Sequence, residues 1–193
     1  RAPAVARARP RDTLTLLARA AVPNARSSSA HRQPPGGIHV VEEGKPAPDF
    51  TLRSDAGEDV ALSSLKGSPV VLYFYPRDDT PGCTTQACGI RDAWGEFQRR
   101  GAVVLGVSPD DEASHVKFRE KYDLPFTLLA DPGHEVAEQY GVWVEKTNYG
   151  KTSMGIERST FVLDADGMVA KVMRRVKPDT HADEVLAALP ASS

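Results

Sequence analysis

The segment from Val70 to Cys83 constrains the fold of this chain more than any other segment. Six consecutive apolar or aromatic residues, Val70–Tyr75, predict a central strand that is buried on both faces. Pro76 ends that run, and Thr80 followed by a proline is typical of a helix start. Cys83 is therefore predicted in the first turn of a helix. Backbone N–H groups are unpaired there and the macrodipole is positive, which favours the thiolate form of a cysteine.

Cys88, five residues further along the same predicted helix, is the only other cysteine among the 193 residues. A cysteine pair can be no more than two small apolar side chains. However, the strand, loop and helix around this pair form the place where α/β sheets present reactive groups. A zinc site is disfavoured, because two cysteines supply half of its ligands. The C-x4-C spacing also differs from the C-x2-C motif of dithiol redox proteins.

A family resemblance follows from these residues. Pro76, Thr80 and Cys83 have the spacing Pro-x3-Thr-x2-Cys, which matches the peroxidatic motif of peroxiredoxins. The run Thr-Pro-Gly-Cys-Thr-Thr-Gln-Ala-Cys resembles the bacterioferritin comigratory protein / peroxiredoxin Q branch, in which the resolving cysteine follows five residues later. The resemblance extends from about Gly44 to Leu189. It implies a thiol peroxidase that uses no metal and no organic cofactor.

The order of predicted elements agrees with the fold of that family. Strands alternate with helices, and a β-hairpin and a last helix follow, which predicts a thioredoxin-like α/β fold with a central mixed sheet flanked by helices. An N-terminal β-hairpin precedes the central strand. The predicted elements are a hairpin at 51–62, the cysteine helix to about Arg100, a strand at 102–108, a helix to about Tyr122, a strand at 125–130, a helix at 134–140, strands at 159–163 and 168–176, and a helix from Thr180 to about Leu189.

The resemblance assigns roles to both cysteines and to three other side chains. Cys83 would be the peroxidatic cysteine and Cys88 the resolving cysteine. The Thr80 hydroxyl would contact the cysteine and the bound peroxide, although its position by itself indicates only an N-cap. Pro76 would shield the cysteine from water, although it could simply end the strand. Arg158 would pair with the thiolate and the peroxide, although alone it would be taken for a surface charge.

The helix start adds two backbone groups to this predicted site. The N–H groups of Gly82 and Cys83 can donate to the peroxide oxygen on which negative charge develops. The thiolate would attack the peroxide and become a sulfenic acid, which Cys88 would convert into an intramolecular disulfide. Hydrogen peroxide and alkyl hydroperoxides are the expected substrates, and thioredoxin is the expected reductant. The alternative function is a thioredoxin-like disulfide reductase or a metallochaperone without peroxidase activity.

The geometry of a helix predicts that this disulfide requires motion. Residues five apart on an intact helix have Cα atoms roughly 8.6 Å apart. A disulfide needs Cα atoms within about 7 Å. Cys83 and Cys88 therefore cannot bond unless the helix unwinds locally after the sulfenic acid forms.

No cofactor or metal is indicated by the other residues of the sequence either. The sequence has no phosphate-binding loop that is rich in glycine, so no nucleotide or flavin is expected. The histidines are scattered and are predicted to be surface residues rather than ligands: His31, His39, His115, His134 and His181.

Residues 1–37 differ in composition from the rest of the chain, with seven arginines and one acid, Asp12. Such a segment is typical of an organelle transit peptide, but a disordered basic extension on a cytoplasmic protein is preferred here. Nucleic-acid binding is not expected, because no aromatic residue lies among the arginines. Residues 38–193 are predicted to form the catalytic domain. No run of 18 apolar residues is present, so no membrane span is predicted, and no oligomerisation segment is evident, so a monomer is expected.

Overall fold

The strand predicted at the centre of the fold lies at the centre of the sheet. A computed structural model describes residues 41–148 and 150–190 of the chain. All five residues of β3 (Val70–Phe74) are buried. Alternate side chains of this strand enter two separate apolar clusters, Val70 and Phe74 on one face and Val71 and Tyr73 on the other. The continuous apolar run in the sequence thus reflects a strand that is covered on both sides.

The main sheet has seven strands in the order β2-β1-β5-β4-β3-β8-β9. β3, β4 and β5 are parallel, whereas β1 and β8 run antiparallel to their neighbours, so the predicted mixed sheet is confirmed. The strands are β1 (Thr51–Ser54), β2 (Asp59–Ala61), β3 (Val70–Phe74), β4 (Val103–Ser108), β5 (Thr127–Ala130), β6 (Trp143–Asn148), β7 (Lys151–Ile156), β8 (Ser159–Leu163) and β9 (Val169–Met173).

Helices cover both faces of this sheet. One apolar cluster contains residues of α1, α2, α3 and α5, and the other contains residues of α4. The predicted N-terminal hairpin is present as β1 and β2, and Gly57 at its turn has a φ of +77°. The helices are α1 (Pro81–Asp92), α2 (Trp94–Arg99), α3 (Glu112–Tyr122), α4 (Glu135–Gln139) and α5 (His181–Ala188), and a 3-10 turn spans Leu62–Leu65.

The helix predicted to run from the cysteine motif to about Arg100 is wrong in one respect. The helix is interrupted at Ala93 and divides into α1 and α2, and the Ala93 N–H donates a hydrogen bond to Gly89 O. Gly95 lies just after the break and has a low helix propensity. Phe97 of α2 is completely buried and packs in the cluster that also contains Cys83.

A second difference is the two-stranded sheet formed by β6 and β7, which the sequence pattern does not predict. Its pairs run from Trp143 opposite Ile156 to Asn148 opposite Lys151. Most side chains of β7 are exposed, so the segment lacks the apolar alternation that identifies a half-buried strand.

None of the helices in the described parts of the chain combines the length and the apolar character that a membrane crossing requires. The predicted extension, residues 1–37, and the predicted boundary at residue 38 lie outside the described residues.

Candidate active site

The site is assembled at one edge of the main sheet by strand register. β8 runs antiparallel to β3 and pairs Ser159 with Phe74, the last residue of β3. Arg158 immediately precedes β8, so it lies at the same edge of the sheet as the loop that leads from β3 into α1. Two segments 75 residues apart in sequence thereby meet, and Arg158 Nη2 donates to Cys83 Sγ at 3.4 Å.

The start of α1 places Cys83 as predicted. The helix begins at Pro81, and its first backbone hydrogen bond runs from the Thr84 N–H to Thr80 O at 2.8 Å. The N–H groups of Gly82 and Cys83 precede that bond, so they belong to the donors that a helix start leaves without an intrahelical partner. Cys83 itself is only 2% exposed, which keeps the thiol away from bulk water.

Thr80 occupies the N-cap position, but its side chain does not cap the helix. The hydroxyl instead donates to Arg77 O at 3.0 Å within the preceding loop. Its predicted contact with the cysteine and the peroxide stays a prediction. Pro76 is half-buried at the start of the same loop, and its predicted shielding of Cys83 stays a prediction.

A close approach of helix and guanidinium explains the glycine before the cysteine. A Cβ atom on Gly82 would lie 3.2 Å from Arg158 Nη2 and 3.6 Å from Pro178 Cγ. That distance to Nη2 is tighter than an ordinary contact, so a side chain at this position would press on the guanidinium that contacts Cys83.

Arg158 is held from several directions. Its Nη1 donates to Gln86 Oε1 on α1, and its carbonyl accepts from the Val176 N–H at 3.0 Å. The neighbouring Glu157 carboxylate contacts Arg175 Nε at 3.2 Å and Arg174 Nη1 at 3.6 Å. These contacts fix the segment before β8, so the guanidinium can be aimed at Cys83.

Two of the histidines that the sequence predicted at the surface are completely buried, so that prediction is wrong for His115 and His181. Each is accommodated by hydrogen bonds to buried polar side chains. The half-buried His134 stacks on Trp143 with ring centroids 3.8 Å apart. His31 and His39 lie outside the described residues. Spacing in the sequence carried no signal for these contacts, because the partners come from distant elements.

His115 belongs to a cluster that anchors the loop before Cys83. Asp78 in that loop accepts from the Tyr75 hydroxyl at 2.6 Å and from Ser114 Oγ at 2.8 Å, and its Oδ2 lies 2.8 Å from His115 Nδ1. Burial lowers the pKa of His115, but the hydrogen bond and the negative charge of Asp78 outweigh that effect and raise it. Asp79, at a φ of +51°, contacts Lys121 Nζ at 2.7 Å. The loop is thus fastened to α3.

Lys146 of β6 is a further basic residue near Arg158 that the sequence motifs do not indicate. Its Nζ donates to Ile156 O, two residues before Arg158. Burial lowers the pKa of Lys146, and the charge of Arg158 lowers it further. Arg158 contacts Cys83 directly, and Lys146 lies beside the segment that carries Arg158.

Cys88 lies on the same helix as Cys83 and is half-buried, and both thiols are free. Within residues 41–148 and 150–190, no group of three or more His, Cys, Asp and Glu side chains could hold a metal ion. The chemistry available at this edge of the sheet is therefore that of a buried thiol at a helix start, with a guanidinium in contact and a second thiol nearby.

Comparisons with known proteins point to the same chemistry. Residues 43–172 match the AhpC/TSA family. The chain is 52% identical over 149 residues to a putative peroxiredoxin Bcp of Coxiella burnetii, covering 77% of this chain and 99% of that protein. It is also 52% identical over 150 residues to peroxiredoxin Bcp of Bacillus subtilis, covering 78% of this chain and 96% of that protein. Among solved structures, the bacterioferritin comigratory protein of Xanthomonas campestris, described in connection with alkyl peroxide reduction, superposes with a TM-score of 0.70 at 41% identity. That match covers 72% of this chain and 89% of the other.

Proposed function

The chain belongs to the AhpC/TSA family, in its bacterioferritin comigratory protein / peroxiredoxin Q branch, and on that basis we propose a thiol peroxidase with Cys83 as its peroxidatic cysteine. The observation that carries the proposal is the contact between Arg158 Nη2 and Cys83 Sγ at 3.4 Å in the first turn of α1. A guanidinium and a helix start both stabilise negative charge on sulfur, which is the nucleophile in peroxide reduction.

In the first step the Cys83 thiolate attacks the terminal hydroxyl oxygen of the hydroperoxide. An S–O bond forms, the O–O bond breaks, and the leaving oxygen takes a proton and departs as water or an alcohol. Cys83 is left as a sulfenic acid, two electrons more oxidised. The N–H groups of Gly82 and Cys83 and the Arg158 guanidinium are the donors that would stabilise the charge on the separating oxygens.

In the second step the Cys88 thiol attacks the Cys83 sulfenic sulfur, and one water is released as the disulfide forms. A dithiol reductant then restores both thiols by exchange through a mixed disulfide, and becomes a disulfide itself. Thioredoxin fits this role, since its own dithiol supplies two electrons. Alkyl hydroperoxides join hydrogen peroxide as substrates, because a related bacterioferritin comigratory protein is described by its alkyl peroxide reduction.

The function is tested by counting thiols. Fully reduced protein mixed with substoichiometric hydrogen peroxide is expected to lose two thiols for each peroxide, far faster than free cysteine does. Thioredoxin, thioredoxin reductase and NADPH should then sustain turnover with hydrogen peroxide and with an alkyl hydroperoxide. A disulfide reductase or a metallochaperone would show thiol loss no faster than free cysteine, and that result would refute the peroxidase.

The disulfide step is expected to unwind part of α1, because both cysteines lie within the wound helix. The segment has fixed points on both sides. Asp78 and Asp79 fasten the preceding loop to α3, and Arg91 Nη1 donates to Tyr122 O at 2.8 Å. Opening should therefore be limited to the residues from Thr84 to Gly89.

Amide hydrogen exchange measures this motion. Residues 84–89 should exchange faster in the disulfide form than in the dithiol form, while α3 serves as an internal control with unchanged protection. The disulfide must be verified by mass in the same sample. Equal protection of residues 84–89 in both forms would contradict local unwinding.

A further inference from the structure

A chain of buried polar side chains extends from the active site to the last helix. Arg158 Nη1 donates to Gln86 Oε1 on α1, and Gln86 Nε2 lies 3.3 Å from His181 Nδ1 on α5. His181 Nε2 in turn lies 2.7 Å from Thr160 Oγ1 on β8. Gln86, His181 and Thr160 are all completely buried. His181 and Thr160 take no direct part in the proposed chemistry of the cysteines or in contacts with the peroxide.

The direction of each hydrogen bond in the series from Arg158 to Thr160 is determined by the first donor, the guanidinium. A guanidinium can only donate, so Gln86 Oε1 must accept and the amide nitrogen faces His181 as a donor. His181 Nδ1 must therefore accept, which places the ring proton on Nε2 and directs it to Thr160 Oγ1. The donor pattern thus assigns a single neutral tautomer.

The electrostatics keep His181 in that state. Burial, together with the positive charge of Arg158, lowers the pKa of His181 to about 3. The imidazole is therefore neutral at any pH at which a thiolate peroxidase works. Its Nδ1 stays available as an acceptor, and the Gln86 amide is held in the one orientation that also receives Arg158.

Gln86 lies between Cys83 and Cys88 on the helix. If the disulfide forms by local unwinding of this segment, Gln86 has to leave both Arg158 and His181. His181 Nδ1 would then be a buried acceptor without its donor, which opposes unwinding. The same contact that orients the guanidinium for peroxide attack therefore opposes the step that follows.

We propose that His181 is a positioning residue of the proposed peroxidase: through the Gln86 amide it orients Arg158 for peroxide attack and stabilises the wound form of α1 against disulfide formation. The inference rests on the proposed function. It predicts opposite effects on two successive rates, whereas a merely structural histidine would change the stability or lower both rates together.

The test compares two substitutions of similar size. His181→Leu removes the acceptor that faces Gln86, whereas His181→Asn offers Oδ1 near the position of Nδ1. Rapid mixing with hydrogen peroxide separates the rates, because attack depends on peroxide concentration and disulfide formation does not. In His181→Leu, attack should slow by about ten-fold and disulfide formation should accelerate by about ten-fold, the scale of one lost buried hydrogen bond. His181→Asn should restore both rates toward those of the unsubstituted protein.

A second pair keeps the test decisive if His181→Leu fails to fold. Gln86→Met removes the amide from the same helix and should show the same opposite changes. Gln98→Met makes the same replacement at an exposed glutamine of α2, outside the segment that unwinds, and serves as the control with both rates unchanged. Rates that fall together, or equal behaviour of the Leu and Asn variants, would overturn the inference. Failure of the proposed function is distinguished at the start, because the unsubstituted protein would then consume no peroxide.

Discussion

Cys83→Ser is expected to abolish peroxide reduction, because a serine hydroxyl in the same place is not ionised at neutral pH and is a far weaker nucleophile than a thiolate. The loss should reach the background rate of the assay in both single-turnover and steady-state measurements. The fold should persist, since the substitution replaces sulfur with a smaller oxygen and Arg158 can still donate to it. Thermal unfolding of the variant verifies this.

Cys88→Ser is the matched control for that result. It should still consume one peroxide per protein and then stop at the Cys83 sulfenic acid, which dimedone traps and mass spectrometry detects. Turnover with thioredoxin should be lost, because no intramolecular disulfide forms. If Cys88→Ser blocked the single-turnover step while Cys83→Ser did not, the roles of the two cysteines would be reversed.

Arg158→Ala is expected to slow peroxide attack by about 100-fold or more, the magnitude measured for loss of one donor to a developing negative charge. The guanidinium donates to Cys83 Sγ and to Gln86 Oε1. The substitution therefore removes the positive charge beside the thiolate and also a hydrogen bond to α1. The measurement is the second-order rate of thiol loss at several peroxide concentrations.

Two further variants identify the source of that effect. Arg158→Lys should recover only part of the rate, because an ammonium lacks the planar fork that serves sulfur and amide together. Arg99→Gln removes one positive charge from a side chain of α2 that is 70% exposed, and it should leave the rate unchanged. An Arg158→Ala protein that attacks peroxide at the original rate would show that the guanidinium takes no part in the reaction.

The sequence correctly predicted the elements that depend on residues close together along the chain. The apolar run of β3, the proline at the start of α1 and the position of Cys83 in the first turn all follow from residues close in sequence. The break at Ala93 was missed because the sequence on both sides of it, from Pro81 to Arg99, is compatible with one continuous helix. The sheet of β6 and β7 was missed because β7 is mostly exposed and lacks apolar alternation.

The candidate site divides in the same way. The sequence alone placed both cysteines on one helix that begins at Pro81, because these positions depend on residues within a few turns of each other, and it predicted Cys83 as the nucleophile. A family motif was needed to connect Arg158 with Cys83, since no spacing rule relates residues so far apart. Only the tertiary structure showed that Gln86, His181 and Thr160 continue from that arginine as a buried chain of hydrogen bonds. Such contacts depend on strand register and helix packing, and the identity of a residue does not reveal which distant side chain will satisfy its buried polar atoms.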